Sequence, residues 1–419
     1  MSIPASFRAP GLVFSLVAVL YWPIFRVVPR VQPVETSAEL FDGTVLRDVR
    51  LYIHPRDLQR LRATYLENTY YPADFILGNT RVRNVAVRSR GGLATRDSMK
   101  PALRVDINRY TAGQTFAGLH AIVLDNLFQD KAMLREVLAM SVFARLGHPA
   151  PRESFCRLFV NNVYHGVYAI VEDIDEPFLA RTFGRDDGYL FEYQWQQPYY
   201  GDPLGADFGI YRTLFEAKTH ERAGDDELYG PVRALLDLVN APAETTSRED
   251  LARYLDLEQL VTMLAIETLL GEEDAFAGLH GMNNFYLYRE PGSTRHSFLP
   301  WDRDRAINLV DSSIFDRVNE NALAQRALSY GDLRDRYLRV LEDGARLLLN
   351  GEWLAAEINR LHALIGPAAL ADPRKPQTND EFEAAVEFLR EWAARRPAHV
   401  LEEVAAYRGA NGVSRSQQH

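Results

Sequence analysis

The hydrophobic pattern of this 419-residue chain changes period near Glu172, and that change limits the available folds more than any other feature. Before it, apolar and polar side chains alternate: Val49, Leu51 and Ile53 around Arg50 and Tyr52, then Val85 and Val87, then Leu103, Val105 and Ile107. A period of two predicts strands with one buried face. Phe155 to Val160 and Val163 to Val171 are further β-rich runs, and Asn161-Asn162 between them suits a hairpin turn. Two helices interrupt this region. Pro55 opens one that reaches Leu66, and Asp130 caps another with Leu134, Val137, Leu138 and Val142 on one face and Gly147 at its end. Beyond Asp175, helical spacing dominates at 226–240, 256–271, 331–349 and 379–406, broken by a β-rich stretch at 285–299. Asp256 with Gln259 has the form of a capping box. The pattern predicts an α+β architecture with a β-rich lobe over 41–175, a mainly helical lobe over 176–407 and a cleft between them. Residues 408–419 read as a disordered tail.

Charge and cysteine content narrow the function classes. A net charge of −10 argues against general nucleic-acid binding, which needs a basic surface. Cys156 is the one cysteine, which excludes an intrachain disulfide and a cysteine-based metal cluster. Residues 1–40 read as a hydrophobic anchor or signal segment with a linker. Gly11 to Phe25 carries no charge and lies between Arg8 and Arg26, close to the length of a signal-peptide core, with no small-residue cleavage site after it. The expectation is attachment to a membrane through this segment, with the remainder exported and extracytoplasmic.

The chemistry concentrates between Asp274 and Asp304. Asp274 follows a long apolar helical pattern and precedes a polar loop containing glycine; Asn284 stands directly before Phe285-Tyr286-Leu287-Tyr288; Pro291-Gly292 marks a turn; Asp302 ends the return strand. A hairpin of this kind places Asn284 and Asp302 together at its open end. Oxygen donors of this type suit a hard cation such as Mg²⁺, with phosphate oxygens and water completing its shell. The same residues would also satisfy a local role, with Asp274 capping a turn and Asp302 bridging Arg303 or Arg305.

Specific strings bear on the choice between these alternatives. Asn283-Asn284-Phe285-Tyr286-Leu287-Tyr288-Arg289 followed by Leu299-Pro300-Trp301-Asp302-Arg303-Asp304 resembles the signature of the CotH kinase family, spore-coat CotH-like proteins similar to atypical protein kinases. Val85 through Gly91, Leu134 through Ala139, Pro149-Ala150-Pro151-Arg152, Phe159-Val160-Asn161 and Gly166-Val167-Tyr168 to Val171-Glu172 follow in that family's order, so the resemblance covers about residues 40–310. It implies a divergent two-lobe kinase-like fold and transfer of the ATP γ-phosphate to serine or threonine hydroxyls of a protein substrate, with Mg²⁺ or Mn²⁺. By resemblance, Asp274 is the catalytic aspartate, Asp302 the metal-binding aspartate and Asn284 a second metal ligand. Lys100 is expected to contact nucleotide phosphates as a point charge, with Glu136 expected to pair with it. Gly91 and Gly92 bring backbone amides to phosphate. Glu172 either lines the nucleotide pocket or braces the junction of the lobes, and Lys218 matches a family Lys-Thr pair.

Three departures from the family pattern stand out. Arg303 replaces an aromatic residue between the two aspartates; Pro101 follows Lys100 and suggests an edge strand; Leu93-Ala94 stand where small hydroxyl residues are common. These departures leave open a catalytically weak or inactive relative serving as a surface-binding or structural protein. A metal-dependent hydrolase using the same carboxylates is a third possibility, although the chain carries neither an H-E-x-x-H nor a G-x-S-x-G motif.

Overall fold

Strands of period two bury one face, and in the first half of this protein they close on themselves. The computed structural model describes residues 36–92 and 96–416. The apolar 11–25 segment and Leu93 to Thr95 lie outside the described residues. Helix α1 (Ser37–Leu40), capped reciprocally by Thr36 and Glu39, leads into β1 (Arg47–Ile53), α2 (Pro55–Ala63), β2 (Tyr71–Leu77), β3 (Thr80–Ser89), β4 (Leu103–Asp106), β5 (Ala121–Asp125), α3 (Arg135–Arg145), β6 (Glu153–Val160) and β7 (Val163–Glu172). The strands form a closed barrel in the order β1-β2-β3-β4-β5-β7-β6, antiparallel throughout except where β1 meets β6 in parallel. Asn161 and Asn162 both take positive φ, 49° and 65°, as a tight hairpin requires.

Closure overturns one expectation. β4 lies between β3 and β5, so it is not an edge strand. Pro101 precedes the strand, where a missing amide costs no ladder bond, and its carbonyl accepts a hydrogen bond from the Tyr168 hydroxyl at 3.2 Å.

The barrel wall separates two hydrophobic cores. Val49, Leu51, Phe75, Val87, Val105, Ile122, Leu124, Leu158 and Ile170 fill the interior. Their neighbours Val123, Phe155, Ala169 and Val171 point outward into a larger core shared with α3 and the helices beyond residue 175. Both faces of this part of the wall are dry, which is why β6 and β7 read as continuous β-rich runs.

The second half contains α4 (Glu176–Phe183), β8 (Tyr189–Tyr193), α5 (Phe208–Leu214), β9 (Phe215–Ala217), α6 (Asp225–Asn240), α7 (Arg248–Ala252), α8 (Leu257–Leu269), β10 (Phe285–Arg289), β11 (His296–Pro300), α9 (Ala322–Ser329), α10 (Gly331–Leu349), α11 (Trp353–Leu370) and α12 (Asn379–Ser416). The expected hairpin at 285–299 is β10–β11, joined by β8 and β9 in a sheet ordered β11-β10-β8-β9. Helix α12 runs past 407, so the segment expected as a tail is helical as far as Ser416. Asp256 accepts from the Gln259 amide at 3.0 Å, but the Gln259 side chain turns to the backbone of Phe298, so only half of the expected box forms. No helix among the described residues is long and apolar enough to cross a membrane.

Candidate active site

The register of β10 with β11 builds one side of the site. Phe285 pairs with Pro300, which places Asn284 against Trp301, and the Trp301 amide donates to the Asn284 carbonyl at 3.1 Å. Asn284 and Asp302 therefore flank the open end of the hairpin. Both hold left-handed backbone, with φ of 56° and 54°, a conformation that costs a non-glycine residue about 1–3 kcal/mol and concentrates at functional sites. Asp274 is tied to the same end. Its carboxylate accepts from Asn283 Nδ2 at 2.9 Å, and its carbonyl accepts from Asn284 Nδ2 at 2.9 Å.

The barrel's outward face supplies the other side. Arg90 follows β3, and its guanidinium lies 5.2 Å from the centre of the Trp301 ring and 3.5 Å from Asp125 Oδ2. Burial alone would lower its pKa, but Asp125 and Asp302 outweigh burial and raise it, so Arg90 is a fixed cation. Asp302 is half-buried. Desolvation, then the charge of Asp125, raises its pKa to about 6 against the pull of Arg90. Glu136, Glu153 and Asp304 are also pushed well above the ordinary carboxylate range, first by burial and then by one another and by neighbouring aspartates. One step along the wall, Arg104 projects outward from β4 and lies 2.5 Å from Asp173 Oδ2. A cleft of 290 Å³ opens here, lined among others by Arg104, Asp173, Ile174, Leu190, Lys218 and Tyr286. A partly buried all-oxygen donor set beside fixed cations and a cleft fits a divalent cation and a phosphorylated ligand.

The model of the CotH kinase protein family matches residues 87–400. The chain belongs to the CotH kinase family. Among curated relatives, inner spore coat protein H of Bacillus subtilis is 22% identical over 369 residues, covering 85% of this chain and 97% of that protein. Invasin CotH3 of Rhizopus delemar is 23% identical over 380 residues, covering 83% of this chain and 60% of the invasin. Two solved structures are more distantly similar. The Helicobacter pylori proinflammatory kinase CtkA has 12% identity and a TM-score of 0.33 over 73% of this chain and 94% of its own. The Golgi casein kinase with Mn/ADP bound has 11% identity and a TM-score of 0.31 over 89% and 77%.

Other expected site residues of this CotH-family protein stand differently. Lys100 does not pair with Glu136. It enters the end of the barrel interior, where Nζ lies 2.9 Å from Asp372 Oδ2 and 5.3 Å from the centre of the Tyr168 ring, with both charged side chains fully buried. Burial depresses its pKa despite Asp372. A buried, paired ammonium is not presented to a phosphate, whereas Arg90 and Arg104 project from the outer side of the wall. Glu136 is buried at the start of α3 with Oε2 unpartnered. Glu172 does not line the cleft. It shares the interior-facing parity of Ile170 and receives Arg152 at 2.6 Å and Arg181 at 2.8 Å, which makes it a brace at the end of β7. Lys218 is in the cleft lining, 3.0 Å from Glu192 and 3.6 Å from Glu216. Gly91 has φ of 103°, open to glycine alone at low cost. Its carbonyl accepts from Arg96 Nε at 2.7 Å, and the Gly92 carbonyl accepts from the Arg96 amide at 3.1 Å, which ties the loop after β3.

Arg303 is accommodated by a compensating acid. It is fully buried, donates to Glu267 Oε1 on α8 at 2.7 Å and lies over the Phe143 ring at 5.6 Å. Sequence reasoning missed Arg90, Arg104, Asp125, Glu153 and Glu267. Arg104 was accessible in principle, because alternation with Leu103 and Val105 places it on the wall's outer face.

The titrating groups give a signed prediction. Glu272 has a pKa raised by burial to about 8, and Asp302 one of about 6. As pH rises toward 8, the folded protein therefore holds protons that the unfolded chain has released, and stability falls. Below about pH 6.5 the histidines oppose this, because burial lowers His148, His165 and His296 to about 3 and the unfolded chain then binds their protons. Metal-free thermal melts are expected to show Tm falling between about pH 6.5 and 8, and a flatter profile on the acid side of that range. Mn²⁺ should flatten the decline on the alkaline side.

Proposed function

We propose that this protein is a metal-dependent protein kinase that transfers the γ-phosphate of ATP to serine or threonine hydroxyls of a protein substrate. The observation that carries this reading is the meeting of Asp274, Asn284 and Asp302 at the open end of β10–β11, facing Arg90 on the barrel wall. When bound, a divalent cation with ATP supplies the transferable phosphoryl group and neutralises part of its charge.

In this reading Asp302 and Asn284 hold the cation. Asp274, oriented by Asn283, accepts the hydrogen bond of the incoming hydroxyl and takes its proton as transfer proceeds. Arg90 and Arg104 balance phosphate charge in place of Lys100. The nucleotide occupies the cleft beside Asp173, with Tyr286 and Leu190 against it. Tying of the loop by Arg96 favours Gly91 and Gly92 as a cover over the phosphates. The names of the relatives, a spore coat protein and an invasin, fit an extracytoplasmic location.

The test is label transfer. Full-length protein, incubated with γ-labelled ATP and Mg²⁺ or Mn²⁺, is expected to label itself or a generic protein acceptor. Asp274→Asn and Asp302→Asn should each reduce the rate by about 10²–10⁴-fold. Equal labelling in both variants, or nucleotide binding indifferent to metal, would overturn the reading. Those same names favour a second reading, a surface or coat protein without turnover. Metal-dependent nucleotide binding with no transfer to any acceptor would support it.

A further inference from the structure

Three arginines beside the outer face of the barrel, Arg88, Arg96 and Arg109, form no ion pair with a described residue. Arg88 lies directly opposite Arg104 in the β3–β4 ladder, and both point outward, because the adjacent pair, Val87 with Val105, fills the interior. Like charges directly opposite on a sheet are destabilising. Asp173 answers the charge of Arg104, and no described acid answers that of Arg88.

The hydrogen bonds of Arg88 and Arg96 converge on one neutral atom. Asn68 Oδ1 accepts from Arg88 Nη1 at 3.2 Å and from Arg96 Nη2 at 2.6 Å. Their other acceptors are backbone carbonyls, Ser89 for Arg88 and Gly91 and Tyr65 for Arg96. Two guanidinium groups thus hold a point that an anionic oxygen satisfies better than an amide. Asn68 is exposed, so an incoming anion can displace it. The Tyr70 ring borders the same space, with the Arg88 and Arg109 guanidinium groups 5.5 and 3.9 Å from its centre. Burial, then the charges of Arg88 and Arg90, depress the pKa of Arg96, as repulsion at this spacing requires. On a chain of net charge −10, this is a local concentration of positive charge.

The arginines adjoin the candidate active site. The Arg90 amide continues the ladder by donating to the Ala102 carbonyl at 3.0 Å. Residues two apart on a strand share a face and stand about 7 Å apart, so Arg88 and Arg90 look outward together. Arg90 reaches Trp301, the neighbour of Asp302. A nucleotide that engages Arg90 and Arg104 leaves Arg88 and Arg96 for a group arriving with the acceptor. A phosphate monoester suits them: its oxygens match two guanidinium forks, and it carries more charge than one carboxylate.

We propose that Arg88 and Arg96 bind a phosphorylated residue of the protein substrate, so that acceptors already phosphorylated near the target hydroxyl are preferred. The acceptor role rests on the kinase reading; the anion site does not.

Full-length protein with Mg²⁺ and no nucleotide is mixed with two fluorescent peptides of one sequence, bearing phosphoserine or serine beside a second, free serine. Anisotropy is expected to show wild type binding the phosphorylated peptide about tenfold more tightly, the gain of one charge-assisted hydrogen bond. Arg88→Gln should abolish that preference and leave label transfer to the unphosphorylated peptide unchanged. Asn68→Ala, which removes the amide that phosphate displaces, should bind the phosphorylated peptide no more weakly than wild type. Equal binding of the two peptides by wild type, or an equal loss for both in Arg88→Gln, overturns the proposal. Displacement of the phosphorylated peptide by ADP also overturns it, by placing the phosphate in the nucleotide cleft. The kinase reading fails separately. A preference lost in Arg88→Gln, with no label transfer to either peptide, leaves the anion site standing and removes the kinase. Label transfer to both peptides without any preference does the reverse.

Discussion

Replacing Lys100 with alanine is expected to lower stability by about 3 kcal/mol, measured as a drop in the urea midpoint at unchanged slope. The figure sits at the low end for a broken buried pair, for a reason visible around Asp372. That carboxylate also accepts from the backbone amides of Val167 at 3.0 Å, Arg374 at 2.8 Å and Lys375 at 3.1 Å, so it is not left bare. Lys100→Met combined with Asp372→Asn should recover most of the loss, because neither charge then remains buried. Nucleotide affinity at saturating metal should change little in the double variant. Unaltered stability with lost nucleotide binding would return Lys100 to the phosphate role. Gly166→Ala is expected to act through the same contact. A Cβ there would meet the Asp372 carboxylate at 2.2–2.4 Å, on a backbone with φ of 118°.

Arg303→Met should destabilise the protein by about 3–5 kcal/mol, because it strands Glu267 in the core. The Glu267 carboxylate would keep only backbone help, from the Phe276 amide at 3.4 Å and from Ala277. Pairing Arg303→Phe with Glu267→Leu removes both charges and restores an aromatic residue between the aspartates, so it should be far milder than either change alone. A functional signature accompanies the single variant. The Arg303 cation lies beside Asp302 and, after Arg90, helps to hold its pKa down against burial and the neighbouring aspartates. Without it, Asp302 should keep its proton to higher pH. Mn²⁺ affinity should then fall more near pH 6, where Asp302 titrates, than well above it. A uniform loss at both pH values would show that Arg303 acts on packing alone.

The hairpin was legible in the sequence because all its determinants are local. Two apolar runs, one Pro-Gly turn and flanking polar residues fix which ends meet, and the register then brings Asn284 to Asp302. Asp274 follows through Asn283, its near neighbour in the chain. Lys100 was not legible, for the opposite reason. It precedes β4, where no alternation assigns its direction, and its counter-ion lies 272 residues away. Glu172 could have been placed by parity, since Tyr168 and Ile170 face the interior and Glu172 continues their row; the arginines that brace it come from other elements. β8 and β9 escaped because Tyr189 to Tyr193 lacks alternation and Phe215–Ala217 is three residues long. Pairing with β10 makes them strands. Arg303 read as a defect in the site until Glu267, near the end of α8, supplied its charge.

The reach of Asp372 into the barrel has a consequence for biosynthesis. Every strand of the barrel has been synthesised by residue 172, yet the interior is electrically incomplete until residue 372 follows. A nascent chain stopped between those points must bury Lys100 without its counter-ion, uncompensated or stripped of its proton, or leave that end of the barrel open to water. The strand-rich half is therefore expected to close last although it is made first, and the helical half acts as a template for it.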